Sequence, residues 1–349
     1  MTELAIVTGA PGWLGTALVR SLVRGLEEAG LPATPGRQVR VGKLPGSDDD
    51  ELKVLGDQVV ATDCDITDRA SVDRLLEGAQ GATVFHSAGI IHPSKGRQQF
   101  YDVNVEGTRN LIEAAEKAGV RRFIHVSSNS PVGINESRDK LFDENSPCRP
   151  YMHYGKSKKA GEDLVNAAFK RGKMETVIIR PPWFYGPGQP PRQSLFFTMI
   201  KNGKGPIVGG GDNLRSMAYV DNICQGLLLC EQVEKANGQT YWIADRRPYT
   251  MNEIIDTIEG LMENEFGMKV AHKRMRLPGI ASEVAYVVDL LIQSAGLYHQ
   301  KFHVLSEMNK NIACSIARAE AELGYDPKIE LAEGMRRSIR WVLDQGREI

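Results

Sequence analysis

Short clusters rich in β-branched residues recur along the first half of the chain, each followed by a longer stretch of helical period. The pattern predicts strands over Leu4–Thr8, 38–41, 58–62, 83–87, 122–127 and 176–180. It predicts helices over 15–25, 71–77, 104–118 and 154–170, with Gly119 stopping the third of these. Repeated strand–helix–strand order implies a doubly wound parallel sheet with helices on both faces, an α/β fold. The second half changes character. Residues 181–212 are rich in Pro and Gly and read as loops around one helix, and from Thr250 onward the pattern is mainly helical. We therefore expect a sheet domain over 1–180 plus about 216–246. A smaller, mainly helical substrate-binding lobe is expected over 181–215 and 247–349, closing over the sheet.

Composition narrows the class. The chain is 42% hydrophobic and 25% charged with a net charge of −1, enough to bury a sizeable core. Near-neutral charge gives no footprint for a nucleic-acid partner. The five cysteines form no CxxC pair and no metal-binding spacing, so a reducing, cytoplasmic setting and no metal are expected. The start Met1-Thr2-Glu3-Leu4 lacks the basic region of a secretory signal. The apolar stretch 280–298 is interrupted by Glu283, Asp289 and Gln293, which argues against a membrane span and for a buried or lid helix.

Two stretches carry chemistry. Thr8-Gly9-Ala10-Pro11-Gly12-Trp13-Leu14-Gly15 follows the first strand and opens the first helix with GxxGxxG spacing. Glycines there permit a tight turn and close approach of a pyrophosphate, and the helix N-terminus supplies N–H donors. Gly9, Pro11, Gly12, Trp13, Leu14 and Gly15 are the expected contacts, and the fold is expected to be Rossmann-type. A carboxylate expected on the ribose at the end of the second strand is missing. Arg40 and Lys43 stand there instead, which favours a 2′-phosphate and hence NADP over NAD, unless they are solvated surface charges. Asp65 and Ile66 could contact the adenine, although Asp65 also suits a helix cap.

The second stretch is Tyr154-Gly155-Lys156-Ser157-Lys158. On a helix, Tyr154 and Lys158 share one face. An ammonium beside a phenol is expected to lower its proton affinity and make it an acid/base near neutral pH. Ser127 and Ser128 end a strand whose carboxyl end faces the ligand side of a doubly wound sheet.

Together these residues resemble the extended short-chain dehydrogenase/reductase family, the NAD-dependent epimerase/dehydratase superfamily. Phe85-His86-Ser87-Ala88-Gly89, Asn104-Val105-Glu106-Gly107-Thr108, Arg180 to Gly188, Tyr219-Val220-Asp221-Asn222 and Leu323-Gly324-Tyr325 look like further family elements in order. The resemblance implies Tyr154 as acid/base, Lys158 as its activator and ribose ligand, and Ser128 rather than Ser127 as third partner. It implies Ser87, Ala88, Gly89, Asn104, Ser127 and Pro181 around an NAD(P) cofactor, and pairing of two copies through helices on the sheet face.

Departures from the family pattern narrow the substrate. Asn129-Ser130 replaces the Asp-Glu pair of dehydratases, and Trp183 replaces the asparagine usual in sugar-nucleotide epimerases. With Phe184 and the 280–298 stretch, Trp183 suggests an apolar pocket, though core packing explains these residues equally well. The pattern is closest to the 3-beta-hydroxysteroid dehydrogenase-like branch. Ile90, Trp183, Phe184 and Arg215 are the expected substrate contacts, Arg215 being able to meet a diphosphate. The first expectation is therefore a net oxidoreductase on a small-molecule alcohol or ketone. A sugar-nucleotide epimerase and a non-catalytic NAD(P)-binding regulator are the alternatives.

Overall fold

The computed structural model describes residues 3–349, so Met1 and Thr2 of the N-terminal reading lie outside it. The main strands, apart from a short antiparallel pair at Gly25–Leu26 and Leu31–Pro32, are β1 (Leu4–Thr8), β2 (Gln38–Lys43), β3 (Val59–Asp63), β4 (Thr83–His86), β5 (Arg122–Val126), β6 (Glu175–Arg180), β7 (Trp183–Tyr185), β8 (Gly205–Val208), β9 (Leu214–Arg215), β10 (Met217–Tyr219), β11 (Thr240–Trp242), β12 (Tyr249–Thr250) and β13 (Arg274–Leu277). The main helices are α1 (Trp13–Arg24), α2 (Arg69–Leu75), α3 (Thr108–Ala118), α4 (Met152–Arg171), α5 (Pro191–Lys201), α6 (Val220–Gln232), α7 (Met251–Asn264), α8 (Ile280–Ser294), α9 (Gln300–Glu307), α10 (Ala317–Leu323) and α11 (Leu331–Asp344).

Seven strands form one sheet in the order β11-β6-β5-β4-β1-β2-β3, every pair parallel. Period-two alternation assigns side chains to its two faces. Ala5 and Val7 of β1 pack in one core with Leu14, Leu18, Ile223 and Leu227 of α1 and α6. Ile6 between them packs in the other with Val72, Leu75, Leu111 and Val165 of α2, α3 and α4. The Rossmann-type doubly wound sheet expected from the alternating pattern is thus present. Its order reverses at β1, the point beyond whose carboxyl end doubly wound sheets take their ligands.

The segment after β6 differs from the expected loops around one helix. It holds α5 but also β7 and β8, which pair in parallel with β10 and β13. Those partners lie far along the chain, so no local period announces them. Asp245 ties this region to the sheet. Its buried carboxylate accepts from the Tyr185 hydroxyl (2.6 Å), the Tyr219 amide and the Asn222 side chain (both 3.0 Å). α8 and α9 form a helical hairpin packed over α4. No helix among the described residues is long and apolar enough to cross a membrane.

Candidate active site

Three glycines shape the turn after β1. Gly9 has φ +94°, and a Cβ on it would lie 2.6 Å from the Ala88 nitrogen. A Cβ on Gly12 would lie 2.5 Å from the Gly9 oxygen, and one on Gly15 would lie 2.5 Å from the Ala10 nitrogen. Each clash is with backbone, so no rotamer change relieves it. Gly12 caps α1 without a side chain, leaving the helix N-terminus open to an anion. The cradle therefore fits a pyrophosphate. Pro11 lies within this turn, while Trp13 and Leu14 offer it only backbone. Leu14 is buried in the core, and the Trp13 indole donates to the Pro187 oxygen at 2.7 Å and packs edge-on against Phe184.

The second-strand cations do not form the expected anion site. Arg40 lies mid-strand opposite Ile6, and its guanidinium donates to the Leu75 and Glu77 carbonyls at the end of α2. Lys43 does stand at the strand end, but its ammonium is 2.9 Å from Asp63 and 3.8 Å from Asp49, neutralised by both. Asp65 spends its carboxylate on the Thr67 amide and hydroxyl, so it shapes a turn, and Asp68 caps α2 instead. Ile66 is buried against Gly107, with its carbonyl accepting from Asn110.

Beyond β4 the chain is drawn tight to the cradle. The Ser87 hydroxyl donates to the Thr8 carbonyl at 2.7 Å, and the Ala88 amide reaches the Thr8 hydroxyl at 3.4 Å. Gly89 is next. An added Cβ there would meet Asn104 Oδ1 at 3.1 Å and Lys158 Nζ at 3.9 Å. Asn104 sits on a π-helical turn, Asp102–Gly107, that leads into α3 where a plain helix start was expected. The wide turn lets its amide bridge the Ile90 backbone and the Ser157 hydroxyl.

Lys158, nearly fully buried, donates to the Val126 carbonyl at 2.8 Å. Burial pulls its pKa down to about 8, against the nearby Glu162 charge. Tyr154, one turn earlier on α4, keeps partial exposure. The expected lowering of its pKa by Lys158 is not found. Burial pushes the phenol up to about 12, while the adjacent Ser128 hydroxyl draws it down and the Glu307 charge raises it. Ser127 points elsewhere, its hydroxyl donating to Glu162 at 2.6 Å. Pro181 follows β6 on the same edge of the sheet.

The substrate-side residues divide. Trp183 and Phe184 are neighbours on β7 and face opposite ways, so they do not share one pocket. Phe184 packs on Trp13, while Trp183 packs on Phe196 and lies under the Arg215 guanidinium, 5.8 Å from its ring. Arg215 donates to the Glu307 carbonyl and has no carboxylate within 4 Å among the described residues. Ile90 is half-buried beside Asn104. Residues not expected from the sequence complete this side. The Glu307 side chain is close enough to Tyr154, Tyr151, Tyr298 and His303 to raise the pKa of each. Tyr298 packs edge-on to Phe100, which in turn packs on Tyr154. Glu162 could have been found by spacing, being two more helical turns along the Tyr154 face; Glu307 carries no such signal.

Residues 6–278 match the model of the 3-beta hydroxysteroid dehydrogenase/isomerase family. The chain belongs to that family. An uncharacterised protein of Sinorhizobium fredii is 49% identical over 98% of this chain and 96% of its own length. The 3beta-hydroxysteroid-dehydrogenase/decarboxylase isoform 1 of Arabidopsis thaliana is 29% identical over 96% of this chain and 78% of its own. The crystal structure of UDP-glucuronic acid 4-epimerase from Bacillus cereus with NAD shares the fold, with a TM-score of 0.76 and 21% identity over 98% of this chain and 99% of that one. This member of the 3-beta hydroxysteroid dehydrogenase/isomerase family is an enzyme of the extended short-chain dehydrogenase/reductase type, within the superfamily of oxidoreductases, epimerases and dehydratases. The cradle, Ser128, Tyr154 and Lys158 lie inside the family's matched residues, whereas α8 and α9 lie beyond them.

Proposed function

We propose that the protein is an NAD-dependent oxidoreductase acting on the carbinol or ketone carbon of an apolar or medium-sized substrate. The observation that supports this reading is that the Ser128 hydroxyl adjoins the Tyr154 phenol while Lys158, one turn further along α4, lies beside Gly89 near the glycine cradle. Gly9, Gly12, Gly15 and the α1 N-terminus would hold a pyrophosphate, and Lys158 with Asn104 the nicotinamide ribose. Nicotinamide supplies or accepts the hydride. The protein's part is proton handling and orientation. Tyr154 is protonated at neutral pH, so it donates its proton to the substrate oxygen in the reducing direction. Ser128 hydrogen-bonds that oxygen and the phenolate left behind, while Lys158 orients the nicotinamide ribose. Residues 181–215 and 247–349 serve as the substrate lobe, with Trp183 and Tyr298 among its apolar side chains.

NAD is favoured over NADP because Arg40 is turned away and Lys43 is neutralised, so neither of these cations is free for a 2′-phosphate. The Bacillus cereus neighbour is described with NAD, which supports the same choice. One observation favours a second reading: Arg215, without a carboxylate partner, could meet the diphosphate of a sugar nucleotide, making the enzyme an epimerase. Loss of NADH absorbance with apolar ketones, abolished by Tyr154→Phe, is the expected result. Purification with tightly held NAD, and sugar-nucleotide inversion without net NADH change, would instead establish the epimerase.

A further inference from the structure

A cavity of about 260 Å³ lies at the C-terminal end of α1, bounded by α6 and α11. α1 and α6 cover the sheet face opposite to α4, so the cavity shares no residue with the surroundings of Tyr154. The N-terminus of α1 forms the glycine cradle, and its last turn, about 18 Å along the helix, lines the cavity.

The short antiparallel pair after α1 walls the outer side. Gly25 leaves the helix at φ +78°, and a Cβ there would lie 2.6 Å from the Ala33 nitrogen, so only glycine lets the return strand close. Glu28, in the turn of that pair, accepts from Arg337 of α11 through both oxygens, at 2.8 and 2.9 Å. The wall is thereby anchored at both ends, by α1 and by α11.

The floor carries unused acceptors. Asp221 and Gln225 are one turn apart on α6 and share one face. The Gln225 side chain is 4% exposed, and its amide oxygen has no hydrogen-bond partner among the described residues. Asp221 Oδ1 has none either, with Arg20 at 3.7 Å, beyond hydrogen-bonding reach. Burial raises the Asp221 carboxyl above its ordinary pKa, while Arg20 and Arg337 draw it down. A buried oxygen without a donor destabilises the fold unless a bound molecule supplies one. The C-terminal end of α1 adds the negative end of its dipole at the same place. The floor therefore calls for a cation with N–H donors.

The rim calls for an anion. Arg24 has no carboxylate within 4 Å among the described residues, and Arg20 is freed once a cation takes its place at Asp221. Glu27 and Glu28 share the opening, so a polyanion would meet carboxylates as well as arginines, whereas a zwitterion matches both signs. Leu26, Ala29 and Ile329 give the remaining wall an apolar surface. The volume falls below the roughly 300–1,000 Å³ of pockets for drug-sized ligands, which suits a smaller molecule.

We propose that this cavity binds a free α-amino acid with an aliphatic side chain. The ammonium meets Asp221 and Gln225, the carboxylate meets Arg24 and Arg20, and the side chain lies against Leu26, Ala29 and Ile329.

The test is calorimetric titration of the full chain with L-valine, L-leucine, L-isoleucine and L-methionine, paired with thermal unfolding. At least one of the four should bind and raise the melting temperature. Isocaproate, which is L-leucine without its ammonium, and isoamylamine, which is L-leucine without its carboxylate, should each bind about tenfold more weakly than L-leucine or worse, having lost a charge-assisted contact. Gln225→Leu keeps the volume, removes the acceptor and should weaken amino-acid binding by a similar factor. Should it fail to fold, Arg24→Gln on the surface should weaken amino-acid binding and leave isoamylamine unaffected. No binding by any of the four amino acids, isocaproate or isoamylamine binding as well as L-leucine, or undiminished binding by either folded variant would overturn the proposal. None of these readouts involves turnover, so the outcome is independent of the reaction assigned above.

Discussion

Ser127 donates its hydroxyl to the Glu162 carboxylate at 2.6 Å. That bond decides which of two adjacent strand-end hydroxyls meets Tyr154. With Ser127 engaged by Glu162, Ser128 is the hydroxyl left to meet the phenol. Glu162 is itself clamped by Arg180, at 2.8 and 2.7 Å. Tyr154, Lys158 and Glu162 are spaced along one face of α4. A single helix thus presents the phenol, the ammonium and the group that orients the opposite strand end.

Glu162→Gln keeps the shape and removes the charge, leaving Arg180 buried without its counter-ion. Breaking one side of a buried pair costs about 3–5 kcal/mol, so urea unfolding should shift by that order. A loss below about 1 kcal/mol, the range of exposed pairs, would mean that Arg180 finds other company.

The pH profile of turnover should be set by Lys158. Its pKa is held down to about 8 by burial, whereas Tyr154 stays protonated to about 12. Reduction should therefore proceed through neutral pH and fall above about 8, as the ammonium that would hold the nicotinamide ribose loses its proton. Lys158→Arg keeps the charge and should remove that alkaline fall, at a lower maximal rate. Tyr154→Phe should lower kcat by about 10²–10⁴ at every pH without lowering the melting temperature. A profile of kcat/KM that stays level above pH 8 in the native enzyme contradicts the role of Lys158.

Cofactor choice can be read from thermal shifts, since a ligand that binds only the folded state raises its melting temperature. NAD should give the larger rise. Arg40→Ala should leave both rises unchanged, because that guanidinium caps α2. Gly12→Val should abolish both, its side chain colliding with the Gly9 carbonyl. A larger rise with NADP that Lys43→Ala removes would restore the 2′-phosphate site.

What was legible in the sequence was what local chemistry dictates. Gly9, Gly12 and Gly15 announce a turn that only glycine can make, and the period of α4 puts Tyr154 and Lys158 on one face. The role given to Arg40 was wrong because a cation near a strand end can equally cap a neighbouring helix, and spacing does not say which. The lowered pKa expected for Tyr154 failed for a related reason: proximity on a helix was visible, burial was not. Residues 280–298 were legible as a helix that does not span a membrane. Its orientation was not, because the polar face is buried only through Asp289, Gln293 and their partners His303 and His153, distant in the chain.

The Asp289–His303 pair should make the hairpin's stability depend on pH. Burial works against the protonated imidazole, but its hydrogen bond to Asp289 and the charges of Glu307 and Asp289 outweigh that, so its pKa is raised from 6.5. Around it lie Gln293 on α8 and the rings of Tyr151 and Tyr298. A raised pKa means the folded state holds the proton more tightly than the unfolded one. The stabilisation is then fully present below about 6.5 and is lost as pH rises through the folded value. Asp289→Asn removes the partner charge. The melting temperature of native protein minus that of this variant, followed by circular dichroism, should be largest on the acid side and shrink toward alkaline pH. A difference that is constant or grows with pH would show that His303 is held neutral, and that the hairpin is anchored by hydrogen bonding alone.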